Sequence, residues 1–312
     1  MPPTTGTTTC NLNLRKGAAT TFPIITTLKP GTPLNIIEES GDWLKVSASG
    51  QVGFVSRKLV FLPTHRIMEG FLIHLPEALT WPLTSARQLK APAGSGATAK
   101  TVVAIWNKFG GLLEPLAAKI HIDPAAALAV VATESGGSGF KNGRLTIRFE
   151  NHYFWNLWGK RNPDVYHSFF TFNQDKPWTG QQFRPEADQP WQDYHGNQTA
   201  EWTVLTKAIS LHEDAAKSSI SMGLPQIMGA NHAAIGYESA GDMFAAFSND
   251  ERTQLIGLFD FIQGPHSVSP SVTALQNLDF TAFAARYNGN GQAAAYGATL
   301  QQYYDIFGNL RA

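Results

Sequence analysis

The apolar, alanine-rich run at 125–133 constrains the fold of this chain more than any other feature. The run has no polar face, so a helix formed from it must be buried on all sides. Asp123 is suited to cap that helix, and Pro124 to occupy its first turn. We therefore predict a core helix that starts near residue 124 and is ended by the Ser-Gly-Gly sequence at 135–137.

A carboxyl group stands at the end of this predicted helix. Glu134 follows the apolar run directly, where an unpaired carboxylate is costly. Burial disfavours its charged form, and the negative end of the helix dipole adds to that effect. Glu134 is thus expected to hold its proton near neutral pH. The alternative is an ordinary helix-end residue whose side chain is satisfied by backbone amides.

A second carboxyl group follows a predicted strand. Apolar and polar residues alternate over 145–149, which is the period of a half-buried strand, and Glu150 comes next. The two carboxyl groups would then occupy unlike environments, one at a buried helix end and one on a neighbouring strand. Glycoside hydrolysis uses such a pair.

Composition and charge limit the classes of protein to which this chain can belong. The 312 residues are 43% hydrophobic and 15% charged, which indicates a soluble globular protein of two domains or one large one. Lys+Arg and Asp+Glu are equal at 24 each, so global charge gives no reason to expect a nucleic-acid partner. No stretch is long and apolar enough to predict a membrane span, and the N-terminus lacks the basic start and apolar centre of a signal peptide.

The sequence predicts neither a disulfide nor a cofactor. Cys10 is the single cysteine, so no intrachain disulfide can form. His212-Glu213 starts like a zinc-protease motif, but Ala216 stands where the second histidine is required. We expect no metal and no cofactor.

Residues 1–62 have the turn-separated short strands of a small all-β barrel. The markers are LNLR at 12–15, LKPGT at 28–32, GDWLKV at 41–46 and GQVGFV at 50–55. This part resembles a bacterial SH3 domain, which implies binding to cell-wall peptides or glycans.

The rest of the chain is predicted to be mainly helical. Residues 63–99 are interpreted as a linker and residues 100–312 as the second domain. Gly110-Gly111 is expected to break the first helix, and further helices are predicted at 201–217, 241–263 and 297–307. The polar stretch at 160–198 is predicted to be a long loop.

Several motifs in the second domain occur in a recognisable order. They are ESGGSGF at 134–140, GRLTIRFENHYFW at 143–155, GLPQIMGANH at 223–232 and ARYNGNG at 285–291. In this order they resemble the lysozyme superfamily, and most closely the N-acetylmuramidase family of phage endolysins. The resemblance covers residues 100–312 and implies a mainly α, α+β lysozyme-like domain.

The resemblance implies cleavage of the β-1,4 bond between N-acetylmuramic acid and N-acetylglucosamine in peptidoglycan. Glu134 would be the general acid, and Glu150 the second carboxylate, acting as a base or as an electrostatic stabiliser. The predicted substrate-binding residues are Gln226, Tyr287, Asn288, His152 and Phe154. The protein is expected to act as a monomer on the bacterial cell wall, after release or export by a route other than a signal peptide.

Two other functions stay open at this point. A lytic transglycosylase would use one carboxyl group as acid and then as base, and would leave 1,6-anhydro ends. A wall-binding protein with a degenerate lysozyme fold would bind without cleavage. One departure from the family pattern is Pro225, which stands where an aromatic residue or methionine is usual and which stiffens its segment.

Overall fold

The N-terminal part of the chain is an antiparallel β-barrel, as predicted. The computed structural model describes residues 5–8, 10–61, 71–135, 138–264, 269–287 and 289–311. The barrel strands within them are β1 Thr5–Thr8, β2 Leu12–Arg15, β3 Ile24–Leu28, β4 Pro33–Ser40, β5 Trp43–Ala48, β6 Gln51–Ser56 and β7 Val60–Phe61. Their spatial order is β3-β2-β6-β5-β4-β1-β7.

Alternation along these strands forms the barrel core. In β5, Leu44 and Val46 are fully buried, whereas Trp43 and Lys45, which alternate with them, are partly exposed. Successive side chains of a strand point to opposite faces, so every second residue reaches the interior. Leucine and valine side chains from β2, β3, β4, β6 and β7 belong to the same cluster.

The remainder is rich in helices, which confirms the predicted fold class. The helices are α1 Ala97–Lys119, α2 Pro124–Ser135, α3 Asn151–Leu157, α4 Pro163–Phe169, α5 Gln198–Leu211, α6 Glu213–Ser218, α7 Ala240–Asn249, α8 Glu251–Gln263, α9 Pro270–Gln276, α10 Phe280–Tyr287 and α11 Ala293–Arg311. The short strands are β8 Phe140–Lys141, β9 Arg144–Leu145, β10 Ile147–Phe149, β11 Phe170–Thr171, β12 Gln182–Phe183, β13 Gln192–Asp193, β14 Ile220–Met222 and β15 Ile227–Met228.

The chain divides into two compact units. The first comprises Met1–Gly137, Ala234–Gly236 and Asn249–Ala312, and the second comprises Ser138–Ala233 and Tyr237–Ser248. In the first unit, α2 packs between α1 and α11. Residues 125–132 of α2 are at most 6% exposed, as predicted for a helix without a polar face. In the second unit, β10, β14 and β15 form one antiparallel sheet, and β11, β12 and β13 form another.

The prediction that Gly110-Gly111 breaks the first helix is wrong. Helix α1 is continuous through both glycines. A Cβ atom on Gly111 would lie 2.8 Å from the carbonyl oxygen of Pro82 and against that of Thr84. The missing side chain therefore lets residues 82–84 pack directly on the helix, which offsets the low helix propensity of glycine.

Part of the predicted linker packs as a core segment. Phe71, Leu72 and Ile73 are buried. Asp260 of α8, itself fully buried, accepts hydrogen bonds from the backbone N–H groups of Leu72 (2.5 Å) and Ile73 (3.0 Å). Burial raises the pKa of Asp260 to about 8, against the lowering effect of the two N–H donors. One side chain therefore fixes this segment to α8.

Other predicted boundaries shift for local reasons. The stretch at 160–198 is not one long loop, because it contains α4 and the strands β11–β13. The helix predicted at 241–263 is two helices, since Asp250 accepts a hydrogen bond from the backbone N–H of Arg252 and caps α8. In the described part of the chain, no single helix is long and apolar enough to cross a membrane. Helices α1 and α2 together have the required length and apolarity but are bent by 119°.

Candidate active site

Glu134 lies in the last turn of α2, in the first unit, and is partly buried. The Tyr296 hydroxyl, on α11, donates a hydrogen bond to Oε1 of Glu134. Burial raises the pKa of Glu134 from 4.5 to about 7. Glu134 is thus a carboxylic acid that keeps its proton through a large part of the neutral range.

Two tyrosines stand near this acid. Tyr287, at the end of α10, is close enough that the Glu134 carboxylate raises the pKa of its hydroxyl, after the larger effect of burial. Tyr296 makes the direct hydrogen bond from α11. The two helices approach closely at Gly297, where a Cβ atom would lie 2.9 Å from the backbone of Thr281. A glycine beside Tyr296 therefore helps to place both hydroxyls near one carboxyl group.

Glu150 lies in the second unit, between β10 and α3. One carboxylate oxygen accepts a hydrogen bond from Nε of Arg148 (2.8 Å), and the other from Nε2 of Gln181 (2.6 Å). The side chain is 13% exposed. Both oxygens serve as acceptors of directed donors, which is how an ionised carboxylate is held.

A buried polar network fixes the backbone around Glu150. Gln181 also accepts from the N–H of Asn151 (2.6 Å), and the Tyr194 hydroxyl donates to the side-chain oxygen of Asn151 (2.8 Å). Glu201 of α5, 1% exposed, accepts from the N–H of Phe149 (2.8 Å). These contacts leave the strand end that carries Glu150 little freedom to move.

Gln226 occupies the tight turn between β14 and β15. Its side-chain oxygen accepts from the Ser221 hydroxyl (3.0 Å), and its Nε2 donates to the carbonyl of Gly223 (2.7 Å). Its φ of +48° lies in the left-handed region that non-glycine residues seldom adopt. An exposed residue held in that conformation by its own side chain fits a functional position.

The other predicted binding residues differ in outcome. His152 is 18% exposed, with Nδ1 3.5 Å from a carboxylate oxygen of Glu150. Phe154 is fully buried and packs against Phe149 and Phe170. The prediction of Phe154 as a substrate contact is therefore wrong, because this member of the aromatic run faces the core. Asn288 lies outside the described residues.

Sequence reasoning missed two residues that bond to the predicted carboxyl groups. Tyr296 is one tyrosine in the small-residue segment of α11, and nothing in its local pattern connects it with Glu134, 162 positions earlier in the chain. Gln181 follows Gly180 in an irregular segment that shows no periodicity. For Tyr296 the sequence offered one signal, a polar aromatic residue between alanines and a glycine, and that signal is weak.

Comparison with known proteins agrees with this geometry. The fold and the protonated carboxyl group suit a glycoside hydrolase of the lysozyme kind. The chain belongs to the N-acetylmuramidase family, whose family model matches residues 123–308, more than half of its length. A bacterial SH3 domain model matches residues 11–61.

A solved structure supports the same assignment. The chain is similar to the crystal structure of the Burkholderia AP3 phage endolysin, with 25% identity and a TM-score of 0.51, over 64% of this chain and 70% of that one. No curated protein matches the chain. Family and fold together make this protein a glycoside hydrolase that acts on peptidoglycan. Among the described residues, no group of three or more His, Cys, Asp or Glu side chains is placed to hold a metal ion.

Proposed function

We propose that this enzyme hydrolyses the β-1,4 bond between N-acetylmuramic acid and N-acetylglucosamine, with Glu134 as the general acid. The observation that carries the proposal is the pKa of Glu134, which burial raises to about 7. A general acid is most effective when its pKa lies near the working pH. Glu134 would protonate the glycosidic oxygen as the bond to the leaving sugar breaks.

Glu150 is proposed as the second carboxylate. Its two oxygens are oriented by Arg148 and Gln181. A carboxylate fixed in this way can stabilise the positive charge that develops on the sugar ring, or accept a proton from the attacking water. Gln226, Tyr287 and His152 are proposed to contact the glycan, and Asn288 keeps its predicted role beside Tyr287.

Residues 1–62 are proposed to attach the enzyme to its substrate, with residues 63–99 joining them to the catalytic domain at 100–312. The match to a bacterial SH3 domain over residues 11–61 supports this division. Co-sedimentation of the fragment 1–62 with purified cell walls tests it, and a fragment that stays in the supernatant would reject it. The enzyme is expected to act as a monomer, which sedimentation velocity measures.

Product analysis tests the bond assignment. Purified peptidoglycan is digested with the wild-type enzyme, and the released muropeptides are examined by mass spectrometry before and after borohydride reduction. We expect reducible N-acetylmuramic acid ends. Reducible N-acetylglucosamine ends would assign the other glycosidic bond, and 1,6-anhydro ends would identify a lytic transglycosylase.

A further inference from the structure

We propose that a groove along α5, in the second unit, binds the acidic peptide stem of peptidoglycan. This inference rests on the proposed function, because the ligand is part of the same substrate. The groove has a volume of about 430 Å³. We call it the α5 groove. The residues that line it include Arg144, Glu186, Trp202, Thr203, Thr206 and Lys207.

One side of the groove is a single helix face. Helix α5 contributes Trp202, Thr203, Thr206 and Lys207 to the groove. Residues three and four positions apart in this set are neighbours on the helix surface, so the four lie together. The Thr203 hydroxyl donates to the carbonyl of Thr199 (3.0 Å), and that of Thr206 to the carbonyl of Trp202 (2.7 Å). With their protons engaged by the helix, these oxygens are available to accept from the N–H groups of a ligand.

Two cations line the same groove. The Arg144 guanidinium lies 5.0 Å from the centre of the Trp202 ring, and the Lys207 ammonium lies 4.1 Å from the centre of the Phe169 ring. Among the described residues, no carboxylate lies within 4.0 Å of Arg144. Lys207 has a single distant partner, Glu186 at 3.8 Å, whose side chain is 65% exposed. The groove therefore holds positive charge that its own residues do not neutralise.

Of the two parts of peptidoglycan, the peptide stem suits the α5 groove better than the sugar chain does. The sugars of the glycan are uncharged once the lactyl group of N-acetylmuramic acid is joined to its peptide, whereas that peptide carries free carboxylates and amide N–H groups. Carboxylates pair with Arg144 and Lys207, and amide N–H groups pair with the threonine oxygens. A bare sugar fits less well, because the Arg144 guanidinium covers the Trp202 ring on which it would stack.

The test compares two substrates with the full-length enzyme. One is peptidoglycan with intact stems. The other is the same glycan after an amidase has removed the peptides and the lactyl carboxylates that this exposes have been converted to amides. The double variant Arg144→Gln/Lys207→Gln should lose about tenfold in kcat/KM on the first substrate and remain within about twofold of wild type on the second. The matched control is Lys160→Gln/Lys176→Gln, which removes the same charge from exposed positions outside the groove and should change neither activity.

A second variant is expected to gain activity, which misfolding could not produce. Glu186→Gln removes the one carboxylate of the groove at an exposed side chain, so it should increase kcat/KM on peptide-bearing substrate alone. Equal losses on both substrates by the folded double variant, or no loss on either, would overturn the inference, as would an unchanged Glu186→Gln. If wild type cleaves neither substrate, the proposed function itself fails, and that result is distinct from these.

Discussion

The Tyr296 hydroxyl on α11 donates a hydrogen bond to Oε1 of Glu134 at the end of α2. The bond joins two helices that pack against each other in the first unit. It leaves the second oxygen of Glu134 to carry the proton that burial retains there. The acid thus has a fixed orientation as well as a raised pKa, and several predictions depend on that combination.

Removal of the acid should abolish lysis. Glu134→Gln keeps the size of the side chain and the acceptor for Tyr296, but it has no proton to transfer. General acid catalysis contributes about 10²- to 10⁴-fold, so turbidity clearing of cell-wall suspensions should fall by at least about 100-fold. Glu114→Gln, an exposed position on α1, is the matched control. If Glu134→Gln clears walls as fast as that control, Glu134 is not the acid.

Activity should decline on the alkaline side of neutrality. Only the protonated form of Glu134 can act, and its pKa is about 7. At substrate concentrations well below KM, where the rate reports kcat/KM of the free enzyme, the rate should therefore fall about tenfold for each pH unit well above that value. Initial rates on soluble glycan fragments between pH 5 and 9 measure this decline, which is the alkaline limb of the pH–activity profile. A rate that stays level to pH 9 would contradict the assignment.

Tyr296 should set the position of that limb. A hydroxyl that donates to a carboxylate favours the charged form, so Tyr296→Phe should raise the pKa of Glu134. The alkaline limb would then move to higher pH, by less than about one pH unit for a single hydrogen bond. Tyr303→Phe, on the same helix, should leave the profile unchanged. A limb that moves to lower pH would show that Tyr296 stabilises the neutral acid instead.

The same burial should make Glu134 costly to stability above neutral pH. Its pKa is about 7 in the folded protein, against 4.5 when unperturbed, so the folded state binds the proton more tightly. The free energy of unfolding should fall as pH rises from 4.5 to 7, and the cost then stays constant. Glu134→Gln should therefore be more stable than wild type at pH 8, by about 3 kcal/mol, and equal to it at pH 4. Chemical denaturation at both values tests this, and a pH-independent difference would count against it.

The sequence predicted most of what depends on local pattern. The apolar run at 125–133 and the apolar–polar alternation before Glu150 pointed to both carboxyl groups. Helix burial and strand alternation can each be predicted from residues that are neighbours in the sequence. Phe154 was misjudged because composition does not show which way an aromatic run faces. Tyr296 and Gln181 were missed because their contacts join distant segments, and only the packing of α11 on α2, or of the loop before β12 beside α3, brings them into place.

Gln181 should control the position of Glu150 without taking part in the reaction. Its amide donates to Glu150 and accepts from the N–H of Asn151, so one side chain fixes both the carboxylate and the start of α3. Gln181→Met keeps the length of the side chain but frees the carboxylate to rotate, and a displaced catalytic group costs rate more than binding. We expect kcat to fall about tenfold with KM nearly unchanged, whereas Gln192→Met at an exposed position in β13 should alter neither. Gln181→Glu places a like charge beside Glu150 and should be slower still. A rise in KM with kcat preserved would instead make Gln181 a substrate contact.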